Sequence, residues 1–135
     1  MDDFYKEYIL DHYRNPRNFG HLETFDAHAE DVNPLCGDTI RMELKLDSEG
    51  RVSDVKFSGK GCAISQASAS MLTETIKSEH PKLDAIAKMS TDVVLENVGI
   101  GISPTRMKCA TLGLKVLKSA AVAELAKHTG EGSVS

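Results

Sequence analysis

The chain has 135 residues, 41% of them hydrophobic and 27% charged, with a formal net charge of −4. That length suits one domain whose core needs no disulfide staples. No run of Lys and Arg could follow a phosphate backbone, which argues against nucleic acid, and no window approaches the roughly 18–20 uninterrupted apolar residues of a membrane span.

The N-terminus, Met1-Asp2-Asp3-Phe4, is acidic where a targeting segment would be basic, so a cytoplasmic, reducing setting is expected. After the cap Asp2 or Asp3, the residues Tyr5, Tyr8, Ile9, His12 and Tyr13 recur at helical spacing, and Asn15-Pro16 stops the helix. His12 and Tyr13 on that stripe are read as packing residues. Residues 17–22 lack periodicity and form a loop, and Phe25, Ala27 and Ala29 alternate as a short strand. From Thr39 to Leu46, Ile40, Met42, Leu44 and Leu46 take one face, and Arg41, Glu43 and Lys45 the other. The polar turn Asp47-Ser48-Glu49-Gly50 leads into a third strand carrying Val52, Val55 and Phe57, and the uneven step from Val52 to Val55 predicts a bulge.

Beyond Gly59-Lys60-Gly61 the period becomes helical, with Ile64, Ala67, Met71 and Thr75 on one face and His80-Pro81 as the stop. A weaker helix is expected over Lys82 to Met89 and a short one over Asp92 to Asn97. Pro104 opens a long final helix, with Leu114, Leu117, Ala121 and Leu125 as its buried stripe, ending near His128. Residues 130–135 are expected to be a flexible tail. Strands followed by helices predict one α+β domain over residues 1–135, a three-stranded antiparallel sheet with helices packed mainly on one face.

The three cysteines each fall where an element begins or ends: Cys36 in Asn33-Pro34-Leu35-Cys36-Gly37-Asp38, Cys62 after Gly61, and Cys109 shortly after Pro104. Taken singly, each reads best as a small buried hydrophobe; jointly, and in a reducing compartment, they read as ligands. Cys62 and Cys109 lie near helix N-termini, which favour thiolate, and Lys60, Arg106 and Lys108 add positive charge. Their dispersal excludes a compact C-x-x-C zinc knuckle, so the site must be assembled by tertiary folding. Asp38, two residues after Cys36 on an extended segment, would face the same side. Three thiolates and one carboxylate suit Zn²⁺, an iron ion or a small iron-sulfur cluster, and spacing does not choose among them. Ser65, Ser68 and Ser70 are read as residues of a helix start rather than nucleophiles, since no histidine stands in a motif that would activate them.

At these residues the sequence resembles the U-type iron-sulfur scaffold family (IscU, SufU and the N-terminal domain of NifU) over nearly all its length. The resemblance is carried by Ile9-Leu10-Asp11-His12-Tyr13-Arg14-Asn15-Pro16-Arg17-Asn18-Phe19-Gly20, by Asn33-Pro34-Leu35-Cys36-Gly37-Asp38, by Gly61-Cys62-Ala63-Ile64-Ser65-Gln66-Ala67-Ser68, and by Arg106-Met107-Lys108-Cys109-Ala110. It implies a scaffold, not itself an enzyme, that takes sulfur from a cysteine desulfurase, builds a cluster on Cys36, Cys62 and Cys109 with Asp38 assisting, and passes it to apo-proteins or carriers. A [2Fe-2S] cluster is the form expected, and a homodimer is compatible with it. Lys108 stands where the IscU branch has histidine and, with Ala63-Ile64-Ser65, looks more like SufU, although the interval from Cys62 to Cys109 is too short for the extra segment typical of SufU. The alternative is therefore a zinc-dependent sulfurtransferase in which Cys109 accepts persulfide sulfur and Lys108 stabilises the thiolate or departing sulfide. A third reading is an interaction module with inert structural zinc.

Overall fold

The structure is a computed structural model that describes residues 2–34, 37–99 and 104–134. In chain order it contains α1 (Asp2–Arg14), β1 (Ala27–Asn33), β2 (Asp38–Leu46), β3 (Val52–Lys60), α2 (Ala63–Glu79), α3 (Leu83–Ala87), α4 (Asp92–Val98) and α5 (Pro104–Val134). The strands make an antiparallel sheet in the order β1-β2-β3. α5 lies along β1 and β2, and α2 lies along β3. This is the expected α+β layer arrangement.

Strand alternation places the core. Ile40, Met42 and Leu44 of β2 and Val55 and Phe57 of β3 are fully buried and share one sheet face, with Met42 opposite Phe57 and Leu44 opposite Val55. Lys45 pairs with Asp54 but Leu46 pairs with Val52, so Ser53 is the extra residue of the bulge that the Val52–Val55 step predicts. Gly59 is needed where it stands: its φ is +139°, and a Cβ there would collide with the Thr39 carbonyl oxygen.

The helices cover that face. Leu114, Leu117 and Ala121 of α5 are buried as the stripe predicts, joined by Val116 and Ala120. α2 is enclosed more completely than its one-sided pattern suggests, with Ser65, Ser68, Ser70 and Thr73 buried beside Ala67, Ala69, Met71 and Leu72. Small side chains let neighbours approach: a Cβ on Gly113 of α5 would sit 3.3 Å from Ala69. Dense burial of methyl and methylene groups here supplies most of the fold's stability, at about 25 cal/mol per Å² of apolar surface removed from water.

α1 turns Ile9 and His12 inward, while Tyr8 and Tyr13 are exposed; the stripe inferred from the sequence is thus narrower than its aromatic content suggests. His12 has a polar partner far along the chain, its Nδ1 lying 2.7 Å from Ser70 Oγ. Ser70 Oγ also accepts the Arg17 N–H at 2.8 Å, and Asn18 Nδ2 donates to Thr73 Oγ1 at 3.1 Å, so the segment after α1 is pinned to α2. Burial, aided by the charge of Arg17, lowers the His12 pKa and keeps the ring neutral. The loop then touches the sheet. Gly20 N–H donates to the Phe57 carbonyl and Phe57 N–H to the Asn18 carbonyl, so a single parallel bridge covers part of the β3 edge.

The remaining elements differ at their ends. The expected strand from Phe25 starts at Ala27, the helix expected over Lys82–Met89 is Leu83–Ala87, and the short helix near Asp92 runs to Val98. α5 continues past His128 through Gly130 and Gly132 to Val134, although each glycine costs a helix about 1 kcal/mol. Among the described residues no helix is long and apolar enough to cross a membrane.

Candidate metal centre

Three chain segments end beside one another at one edge of the fold. Asp38 is the first residue of β2, paired in register with Asn33 at the end of β1. Cys62 is the N-cap of α2, with extended backbone (φ −72°, ψ 167°), and Cys109 lies in the second turn of α5. Asp38 and Cys109 are buried and Cys62 is half-buried. A ligand atom from each lies within 4.8 Å of the other two. The structure therefore brings together three of the four residues expected to converge; Cys36 lies outside the described residues.

The local backbone makes this approach possible. Asp38 Oδ1 accepts the Cys62 N–H at 3.0 Å, and Asp38 Oδ2 lies 3.9 Å from Cys62 Sγ. Asp38 thus caps an amide at the start of α2 that the helix itself leaves unpaired. The carboxylate packs so closely on Gly61 that a Cβ there would collide with it and with Ser65 Oγ. Ser65 Oγ in turn donates to the Cys62 carbonyl at 3.1 Å, fixing the cap residue from its other side.

Cys109 has a different neighbour. Asn33 Nδ2 donates to its Sγ at 3.9 Å across the end of β1. The sequence motif contains Asn33 but gives no sign of this contact, because an amide side chain carries no chemical signature that separates a site residue from a turn residue. Lys108 is exposed and helps line a cleft of about 280 Å³ with Val32, Asn33, Pro34, Thr111, Leu112 and Lys115. Lys60 and Arg106 are also exposed, so their charge reaches the site through solvent. A larger cleft of about 600 Å³ runs along α5 past Leu114, Lys118 and Val122 and contains none of Asp38, Cys62 or Cys109.

The donor set fits a soft or borderline cation. Two thiols and a carboxylate, gathered at a helix start with only Cys62 partly open to solvent, match the ligand types of tetrahedral zinc and of iron-sulfur sites. Ligands about 2.0–2.3 Å from a common ion lie less than 4 Å apart, so the observed spread needs only a small contraction. Such a set can bind a metal, hold sulfur, or do both in turn.

The model of the NifU-like N-terminal domain matches residues 4–131. The chain is 39% identical over 140 residues to the zinc-dependent sulfurtransferase SufU of Bacillus subtilis, covering 92% of this chain and 93% of that one. It is 35% identical over 123 residues to the iron-sulfur cluster assembly scaffold protein IscU of Escherichia coli, covering 86% and 90% respectively. Among solved structures, a nitrogen-fixing NifU-like protein (N-terminal) from Brucella abortus superposes with a TM-score of 0.71 over 93% of this chain and 96% of that one; at 23% identity it speaks for the fold alone.

Proposed function

The chain belongs to the NifU-like N-terminal domain family, and from that premise we propose that it is an iron-sulfur cluster assembly scaffold whose cargo is built on Cys36, Cys62 and Cys109 with Asp38 as the fourth ligand. The observation that carries this reading is the convergence of Asp38, Cys62 and Cys109 from three separate elements within 4.8 Å. Such a gathering of thiols beside a glycine that keeps the backbone open to a carboxylate has no evident packing purpose.

The chemistry follows from the donors. Cys109 thiolate attacks the outer sulfur of a persulfide on a cysteine desulfurase; a new S–S bond forms at Cys109, the old one breaks, and the desulfurase thiolate leaves. Lys108, on the cleft wall beside Asn33, faces the approaching donor and supports the negative charge on sulfur. Two electrons from an external reductant then cleave the Cys109 persulfide, releasing sulfide and restoring the thiolate. Iron is held by the thiolates, and Asp38, a hard oxygen on a soft site, is the ligand that exchanges first when the cargo, a [2Fe-2S] cluster, is passed to an apo-protein. A reducing cytoplasm keeps the thiols available for each cycle.

A second reading, a zinc-dependent sulfurtransferase, is favoured by the Bacillus subtilis relative's name and by Lys108 next to Cys109. There zinc would occupy the same ligands and Cys109 would be released to take sulfur. The two separate on metal and acid-labile sulfide content with a visible spectrum, measured on protein purified anaerobically. Iron and sulfide in similar amounts, with a chromophore abolished by Cys62→Ala or Cys109→Ala, support the scaffold. Zinc alone, joined by faster desulfurase turnover on adding the zinc form, supports the transferase and rejects the scaffold.

A further inference from the structure

Gln66 is buried, 7% exposed, and its side-chain amide nitrogen is shielded from water with no hydrogen-bond partner among the described residues. A buried amide N–H without an acceptor costs free energy, so its retention calls for an explanation. Its position narrows what that is. Gln66 lies one helical turn beyond Cys62, and its backbone N–H donates to the Cys62 carbonyl at 3.1 Å. Residues four apart share a helix face, and a long helical side chain leans back over the preceding turn, which here is the turn that begins at Cys62.

The other thiol offers a comparison. Asn33 already directs an amide N–H at Cys109 Sγ. Gln66 holds the equivalent group on the Cys62 side.

We propose that Gln66 is a positioning residue of the metal centre, donating its side-chain N–H to sulfur at Cys62 once a metal is bound. A metal-bound thiolate carries more negative charge than a thiol and is the stronger acceptor, so the bond forms on loading. Outer hydrogen bonds of this kind orient ligands and strengthen metal binding. The metal-free protein bears the cost of the orphaned donor, and the loaded protein recovers it. The inference rests on the preceding reading only in taking Cys62 as a metal-binding thiolate.

That reciprocity gives effects of opposite sign. Gln66→Met keeps the side chain's length and volume and removes the donor. In the metal-free protein its melting midpoint rises by about 2–5 °C. With Zn²⁺ as the probe, its affinity by chelator competition falls about tenfold. Ser68→Ala is the control, since Ser68 Oγ is also buried without a partner among the described residues but lies two residues further along α2. It raises the midpoint of both forms and leaves zinc affinity within twofold of wild type. Should Gln66→Met fail to fold, Gln66→Asn, one methylene too short to reach, loses the same zinc affinity. Zinc affinity of the Gln66 variants within twofold of wild type overturns the proposal.

The zinc arm is independent of the cargo. Wild-type protein that binds zinc but never forms a cluster refutes the scaffold and leaves Gln66 to its own affinity ratio. Wild-type protein that binds no zinc overturns the Gln66 proposal, while the scaffold stands or falls on its iron, sulfide and chromophore.

Discussion

Strand β2 carries two buried carboxylates, Asp38 at its start and Glu43 in its second half, 1% and 3% exposed. Glu43 is saturated. It accepts the Leu22 N–H at 2.8 Å, the Arg41 Nε at 2.8 Å and a bond from His21 Nδ1 at 3.0 Å. Burial alone would raise its pKa, but the bonds from His21, Arg41 and Leu22 and the charge of Arg41 outweigh it and hold the carboxyl at about 2. Among the described residues Asp38 accepts one backbone N–H and otherwise faces the sulfur of Cys62. Equal burial therefore comes with opposite surroundings: one carboxylate has its lone pairs filled by protein donors, and the other faces a thiol with oxygen lone pairs left over.

The largest effect expected from breaking this comparison is at Glu43. Glu43→Gln removes the charge that Arg41 and His21 bond to, leaves their N–H groups with a weaker acceptor, and should lower stability by about 2–3 kcal/mol at pH 7. The pH dependence has a definite sign. A carboxyl whose folded pKa is depressed from 4.5 to about 2 stabilises the fold fully above about 4.5, and that contribution is lost as pH falls toward 2. Urea denaturation at a series of pH values should show this acid limb in the wild type and lack it in Glu43→Gln. A separate, earlier loss belongs to His12. Its depressed pKa means the unfolded chain takes up the proton first, so that loss begins as pH falls below the ordinary imidazole value of 6.5. An acid limb unchanged in Glu43→Gln would show that its bonds are not what stabilises the sheet's outer face.

The two carboxylates also mark how far the sequence can be read. Alternation in β2 correctly gives the core face, and on that logic Glu43 points to solvent. The residues that cover it, His21 and Leu22, sit in an aperiodic loop, and a loop's path over a sheet leaves no trace in hydropathy. The same reasoning explains the bridge from Phe19 to Phe57. The bulge at Ser53 was legible because it breaks a period of two. Cys62, Cys109 and Asp38 were legible because thiols at element boundaries are chemically distinctive. Asn33 was not, since its meaning lies in the sulfur it approaches, and tertiary contact decides that; nor was Gln66, whose spacing from Cys62 is visible but whose burial without a partner is not.

A smaller effect is expected from pushing the two carboxylates toward likeness. Gly61→Ala places a methyl against the Asp38 carboxylate and Ser65 Oγ, both of which have little freedom to withdraw. The cost in stability should be about 1–2 kcal/mol, with displacement of Asp38 from Cys62. Thermal melts report the first, and weakened zinc binding by chelator competition reports the second. A melt and an affinity both equal to wild type would mean that the close approach at Gly61 is dispensable.

Asp38→Ala gives the smallest change in stability and the most informative one in function. It removes a single bond to the Cys62 N–H at the start of α2, worth about 1 kcal/mol, a third or so of the Glu43 effect. If Asp38 is the ligand that exchanges, its loss takes away the route by which a bound cluster leaves, and the visible chromophore of reconstituted protein should decay several-fold more slowly under a competing chelator or apo-protein. A purely structural carboxylate predicts the reverse, because a loosened helix start would shed its cargo faster. Decay rates of Asp38→Ala and wild type, measured side by side under anaerobic conditions, thus test on a single strand whether an unsaturated buried carboxylate is a working part of the site.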